Sequence, residues 1–298
     1  MSHFTVLVSA KSDEELEEKL LPFHEYECTG IEKYLEFVVE VPASEIETRA
    51  AELKANYNYD DGLSNSEVLE EWYGGELRPE GWGRVTNPNA KWDWWVIGGR
   101  WTGLLKLKQA GMGRNGSPGL MTNKNTDPRC ADVAMAADVD WQAIHDEYVQ
   151  RQADGYKLRH HYIAIAENMD IPEELYQKAE KDFLENKYAR EVGTPRKLAL
   201  YQMAARLADE DGKWLHGSYS EIASYMNQSE KQYVAGIIGK AQTYAFIDLY
   251  GNWQQRGEMG WFGMDDTSKG TDNYDEAWWE FVKSLPDDQL VYIVDCHI

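Results

Sequence analysis

Four tryptophans, two cations, a carboxylate and a glycine pair fall within Lys91-Trp92-Asp93-Trp94-Trp95-Val96-Ile97-Gly98-Gly99-Arg100-Trp101. An indole near a guanidinium or ammonium group can stack a nucleobase, a sugar or a partner's side chain, and Lys91 or Arg100 would add cation–π attraction. The same indoles also anchor cores and interfaces, and core packing is the default for so large an apolar group. Asp93 stands between aromatic residues, where a catalytic acid with a raised pKa could sit. Pairing with Arg100 or Lys91 across a hairpin is the simpler expectation.

A second group closes the chain, Asp295-Cys296-His297. A catalytic thiol needs a base aimed at it, and neighbours on a strand face opposite ways, so Cys296 and His297 do not serve each other. His297 can instead meet His3, His24 or His161 if their strands lie side by side. Zinc wants three or four converging donors, which this spacing does not supply. Satisfied strand-end histidines are expected, and neither metal nor cofactor is assigned.

Gly111-Met112-Gly113-Arg114-Asn115-Gly116 reads GxGxxG, and Gly257 to Gly263 is also glycine-rich, but no strand–helix context or following Lys-Ser/Thr makes either a phosphate loop. No nucleophile elbow, HExxH or P-loop is present. The three cysteines, Cys28, Cys130 and Cys296, leave at least one unpaired and read as reduced thiols.

The net charge of −22 disfavours broad attraction to nucleic acid or anionic membrane. From Arg78 to Arg129, however, nine cations face three anions, so that stretch carries +6 and the remainder −28. The aromatic centre lies inside this basic island. Arg84, Lys91, Trp95, Arg100 and Arg114 are therefore the candidate binding residues. Charge asymmetry of this kind can also merely offset neighbouring acidic surface.

These groups need a scaffold. His3 to Ser9 and Tyr34 to Val41 read as strands, the first followed by a helix that Ser12 caps and Glu15 boxes. Trp92 to Leu107 alternates around Gly98-Gly99 and predicts a tryptophan-rich β-hairpin. Gln109 to Arg129 predicts a long loop, Ala131 to Val139 a strand, and Trp141 to Ala153 a helix. His160 to Glu167 predicts another strand, whose Asp and Glu-Glu-Leu sequel parallels the N-terminus and raises a duplicated, ferredoxin-like strand–helix unit, with convergence the better explanation. Helices follow over Glu173 to Arg190, Pro195 to Ala208, Ile222 to Met226 and Tyr274 to Leu285, with strands at Tyr244 to Tyr250 and Leu290 to Cys296.

The expected class is α+β, a mixed or antiparallel sheet with helices packed on it. Two lobes are expected, 1–129 with the hairpin and 130–298, whose last strand returns beside the first. No apolar run approaches the ~18 residues of a membrane span and no leader is evident, so a cytoplasmic protein is expected.

The KWDWWVIGGRW stretch together with Leu285-Pro286-Asp287-Asp288-Gln289-Leu290 and Val294-Asp295-Cys296-His297-Ile298 resembles a family of proteins encoded by tailed phages. The chain is further similar to phage anti-defence proteins directed at the Gabija system, on size and the lack of catalytic motifs. That resemblance implies a non-enzymatic inhibitor in the host cytoplasm that binds a host defence complex and forms homo-oligomers. The alternative from the residues is a nucleotide- or sugar-binding protein or enzyme using Trp92 to Trp101.

Overall fold

The strongly apolar segments near the two ends of the chain, buried on both faces, build the centre of one sheet. The computed structural model describes residues 2–25, 32–57, 59–60, 62–119, 124–259 and 265–298. It divides into two units, Met1–Val139 with Thr243–Ile298, and Asp140–Gln242. The units therefore break the chain elsewhere than the expected 1–129 and 130–298, because a helical segment is inserted between two pieces of one α+β unit.

In the first unit, strand β1 (His3–Ala10) leads to helix α1 (Asp13–Leu20). Ser12 accepts from the Glu15 N–H at 3.3 Å while the Glu15 carboxylate takes the Lys11 N–H at 2.9 Å, satisfying donors that a helix start leaves open. Strand β2 (Glu36–Pro42), helices α2 (Ile46–Tyr57) and α3 (Asn65–Tyr73), and strands β3 (Glu76–Arg78) and β4 (Gly81–Thr86) follow. β2, β4 and β3 form a separate antiparallel sheet whose Val41 and Trp82 pack with Ala50, Leu53, Val68 and Leu69 of the two helices.

The main sheet collects β1, β5 (Trp94–Gly99), β7 (Gly113–Arg114), β8 (Ser117–Pro118), β10 (Val133–Met135), β11 (Ala245–Ile247), β12 (Trp253–Gln255) and β15 (Leu290–His297). Its order is β12-β11-β1-β15-β10-β7, with β5 joined to β15 and β8 to β5. β15 is the hub. It pairs antiparallel with β1 from His3↔His297 to Ala10↔Leu290, and its other edge is shared by β10 at residues 290–292 and β5 at residues 294–297. Short pairs β6 (Leu105–Lys106) with β9 (Cys130–Ala131), and β13 (Glu258–Met259) with β14 (Asp265–Asp266), complete the strands described.

One face of the sheet buries Phe4, Val6, Val8, Tyr292, Val294 and Cys296 against Leu16, Leu20 and Phe23. Helix α9 (Tyr274–Ser284) brings Trp278, whose Nε1 donates to Thr243 Oγ1 at 2.8 Å, and Phe281, which stacks on Phe246 with centroids 4.8 Å apart.

The second unit is helical: α4 (Trp141–Ala166), α5 (Glu173–Glu185), α6 (Pro195–Glu210), α7 (Tyr219–Asn227) and α8 (Glu230–Ala235), around a core that includes Tyr156, Ile163, Leu198, Tyr201, Ala204 and Tyr225. No helix of the described residues is long and apolar enough to cross a membrane.

The α+β class with helices on a mixed sheet holds, as does the pairing of first and last strands. Three elements differ. The expected loop from Gln109 to Arg129 carries strands β7 and β8 of the main sheet. The expected strand at His160 to Glu167 is instead the last seven of the 26 residues of α4 and its C-cap, so the apparent repeat of the N-terminal strand is not one. The short β-branched run was ambiguous in period, and the helix that precedes it carries through. The tryptophan-rich stretch is no hairpin either. β5 pairs with β15 and β8, while β6 pairs with β9, so Gly98-Gly99 ends one strand rather than joining two.

Candidate functional site

Splitting the stretch from Lys91 to Trp101 among several partners separates its tryptophans. Trp92 is buried and its Nε1 donates to the Leu20 carbonyl at 3.2 Å, and Trp95 packs against the same core. Trp101 is half-buried. Trp94 is 49% exposed, so the stacking platform reduces to one indole.

That indole stands at the end of the sheet beside two histidines. The Trp94↔His297 and His3↔His297 register brings all three together, with His3 and Trp94 rings edge-on at 6.2 Å and His3 and His297 rings edge-on at 4.9 Å. Each imidazole has its own carboxylate. His3 Nδ1 lies 2.8 Å from Asp295 Oδ1, and His297 Nδ1 lies 2.6 Å from Asp93 Oδ1. An ionised carboxylate only accepts, so both rings carry hydrogen on Nδ1, and a neutral ring then presents the Nε2 lone pair. Asp93 thus pairs with His297 rather than with Arg100 or Lys91, because β5 joins β15 and not a second strand of its own.

Asp295 is fully buried and accepts a further hydrogen bond from the Arg100 N–H at 2.8 Å. Gly99 makes this approach, with φ of 53° and no room for a Cβ, which would overlap the Asp295 carboxylate. Gly98 stands in the same relation to Asp132, with φ of 82°. Asp132, also fully buried, accepts from Thr102 Oγ1 at 2.9 Å, Gly103 N at 2.5 Å and Gly116 N at 2.7 Å. The glycine pair is therefore a seat for two buried carboxylates, and one of those carboxylates orients a histidine.

The candidate cations do not gather around this centre. Arg84 lies on β4 with its Nε 3.6 Å from Glu40. Arg114 pairs with Asp13 and sits over the Tyr292 ring at 5.9 Å. The Arg100 side chain is exposed, and its backbone rather than its guanidinium serves the site. Lys91 lines a separate small cavity. Of the five, Trp95 stands opposite Cys296 in the sheet and the Arg100 N–H reaches Asp295, and the others are held by different elements.

His24 is buried with Nδ1 on the Glu25 carbonyl at 2.9 Å, and His161 lies on α4, so the expected meeting of His297 with a strand histidine is realised by His3. Among the described residues no group of three or more His, Cys, Asp or Glu is placed to hold a metal. Cys296 is fully buried, and burial pushes its thiol well above the ordinary range, which removes it as a nucleophile at neutral pH. Cys130 lies with its Sγ 3.4 Å from Lys106 Nζ, and Cys28 is outside the described residues. Gly113–Arg114 is the strand β7 paired with β10, not a phosphate loop, and residues 260–263 of the later glycine-rich run lie outside the described residues.

Comparison with known protein families, with curated proteins and with solved structures finds no match to this chain. The site must be read from its own chemistry. Sequence reasoning missed Asp132 altogether and treated Asp295 only as a neighbour of Cys296. The available signal was a lone carboxylate inside an apolar strand, as in Ile293-Val294-Asp295-Cys296, where burial demands several hydrogen-bond donors.

Proposed function

We propose that His3 and His297 form an acid–base centre acting on a small ligand, a nucleotide or sugar, held against Trp94. The observation behind this reading is that two imidazoles, each with Nδ1 on a carboxylate, meet edge-on at 4.9 Å beside an exposed indole. Two imidazoles, one serving as base and the other as acid, are what transfer or hydrolysis of an ester-like bond requires. The base takes the proton of an attacking hydroxyl or water while the acid supplies one to the leaving oxygen.

The test is a screen of the purified protein against nucleotides, phosphodiesters and glycosides, by thermal shift and by turnover. A saturable shift lost in Trp94→Ala, with turnover lost in His3→Gln and in His297→Gln, supports the reading. Turnover undiminished in the two histidine variants overturns it.

A second reading is a phage-encoded, homo-oligomeric interaction protein that inhibits a host defence complex without catalysis. It is favoured by exposed aromatic side chains, Tyr250 at 92% and Trp214 at 75%, on a chain of charge −22. Aromatic groups of this kind serve as interface anchors, and acidic faces can occupy basic nucleic-acid-binding surfaces. Recovery of a defence complex from host lysate, with rescue of phage plaques on a defended strain, supports it, and failure of both counts against it.

A further inference from the structure

Lys91 opens the tryptophan-rich stretch, yet its surroundings differ from those of Asp93. With Phe4, Tyr244, Gln255, Glu258 and Ile298 it lines a cavity of about 100 Å³. Phe4 and Ile298 directly follow His3 and His297, and successive residues of a strand face opposite ways, so this cavity is distinct from the histidine centre.

The backbone at Lys91 is fixed, since its N–H and that of Trp92 both donate to the Phe23 carbonyl, at 2.7 and 3.2 Å. The ammonium is not. Among the described residues no hydrogen bond or ion pair engages it, and Glu258, on the same cavity wall, is bonded to Lys269 at 2.7 Å instead. Burial lowers the lysine below its ordinary range, and the Glu258 charge opposes this without cancelling it. A partly buried amine in a hollow lined by Phe4 and Ile298 as well as by Gln255 and Glu258 is a setting in which lysine can act as a nucleophile rather than as a surface charge.

We propose that Lys91 is a carbonyl-reactive amine and that the cavity around it takes a small aldehyde or ketone, held as an imine. The neutral Nζ attacks the carbonyl carbon, forming a C–N bond as the C=O π pair moves to oxygen. Proton transfer from nitrogen to oxygen gives the carbinolamine, which takes up one further proton on oxygen, loses water and returns that proton to solvent, leaving C=N. No oxidant or reductant is consumed. The cavity holds on the order of three waters, so the carbonyl compound has roughly two to four carbons.

Reductive trapping tests this. The native protein is treated with acetaldehyde and cyanoborohydride near neutral pH, and N-ethyl-lysine is mapped by peptide mass spectrometry. Lys91 is expected to be modified severalfold faster than the exposed Lys213 and Lys231, and to fall to their rate when the protein is denatured. Glu258→Gln removes the carboxylate that favours the ammonium and should speed Lys91 further. Ala90→Leu, at the cavity wall, should slow Lys91 while leaving Lys213 and Lys231 unchanged. Modification of Lys91 in the native wild-type protein no faster than of Lys213 and Lys231 overturns the proposal. So does a native rate unchanged on denaturation. Neither result depends on the fate of the histidine reading.

Discussion

His3 and His297 are Cα partners on adjacent antiparallel strands, and their rings meet edge to face while their Nδ1 atoms turn to different carboxylates. The pairing fixes the tautomer of both rings. In 15N-correlated NMR at pH above the imidazole titrations, both should show hydrogen on Nδ1. Asp295→Asn should release His3 from that tautomer without changing His297, and Asp93→Asn the reverse. A ring observed with hydrogen on Nε2 in the wild-type protein would contradict the geometry.

The glycine pair should tolerate nothing larger. Gly98→Ala and Gly99→Ala each place a methyl against a buried carboxylate, at φ of 82° and 53°. Left-handed backbone in a non-glycine residue costs about 1–3 kcal/mol before the overlap is counted. Urea denaturation should show losses at or above that range for both.

Asp132 and Asp295 are the structural counterparts of those glycines. Asp132→Ala strands the Gly103 and Gly116 N–H groups, and Asp295→Ala strands the Arg100 N–H. An unsatisfied buried donor costs about 1–3 kcal/mol, so Asp132→Ala should be the more damaging of the two in equilibrium unfolding.

The tryptophans should separate cleanly. Trp92→Ala removes a core anchor at 4% exposure and should cost about 3–5 kcal/mol. Trp94→Ala, at 49% exposure, should change stability by less than about 0.5 kcal/mol. Its effect should appear in ligand binding instead. A large stability loss on Trp94→Ala would place it in the core.

Alkaline stability follows from two buried acids. Cys296 is raised well above its ordinary 9.0, and Tyr292 is pushed up to about 12 from 10.0, both chiefly by burial, with Asp13 adding to the tyrosine. In each case the neutral form is favoured by the folded state. Their contribution is complete below the unfolded values and falls as pH rises, from about 9 for Cys296 and between 10 and 12 for Tyr292. Cys296→Ser, whose hydroxyl does not titrate there, should flatten the first part of that decline in a pH series of urea melts.

Much of the scaffold was legible because local chemistry and final structure agree. Ser12 and Glu15 announce α1, Pro195 opens α6, and the apolar runs at His3 and Leu290 find each other in the sheet. The candidate site was less legible. A hairpin and a strand bound to a remote partner share the same alternation, and nothing between Trp92 and Leu107 reveals that Trp94 to Ile97 will pair with residues 294–297. The histidine pair was foreseen only as one of several meetings. Its carboxylates were not foreseen, since Asp93 had nearer cations in sequence and Asp132 had no motif to mark it. His160 to Glu167 misled for another reason: eight residues are too few to tell a twofold from a 3.6-fold period, and the helix was decided by Tyr156, Ile163 and Ala166 joining the helical core.

The hub position of β15 also sets an order of assembly. During synthesis β1 emerges first, then β5 and β10; β5 and β10 meet their short neighbours β8 and β7 early, but all three strands await β15 as their longest partner. The helical insertion, with local contacts of its own, can form while they wait. Until Leu290–His297 appears, β1 keeps an open edge and Asp93, Gly99 and His3 lack the residues that complete them. The nascent chain is thus exposed to strand mispairing until this eight-residue strand arrives. A nonsense codon just before Leu290 should therefore yield an insoluble product rather than a merely weakened one.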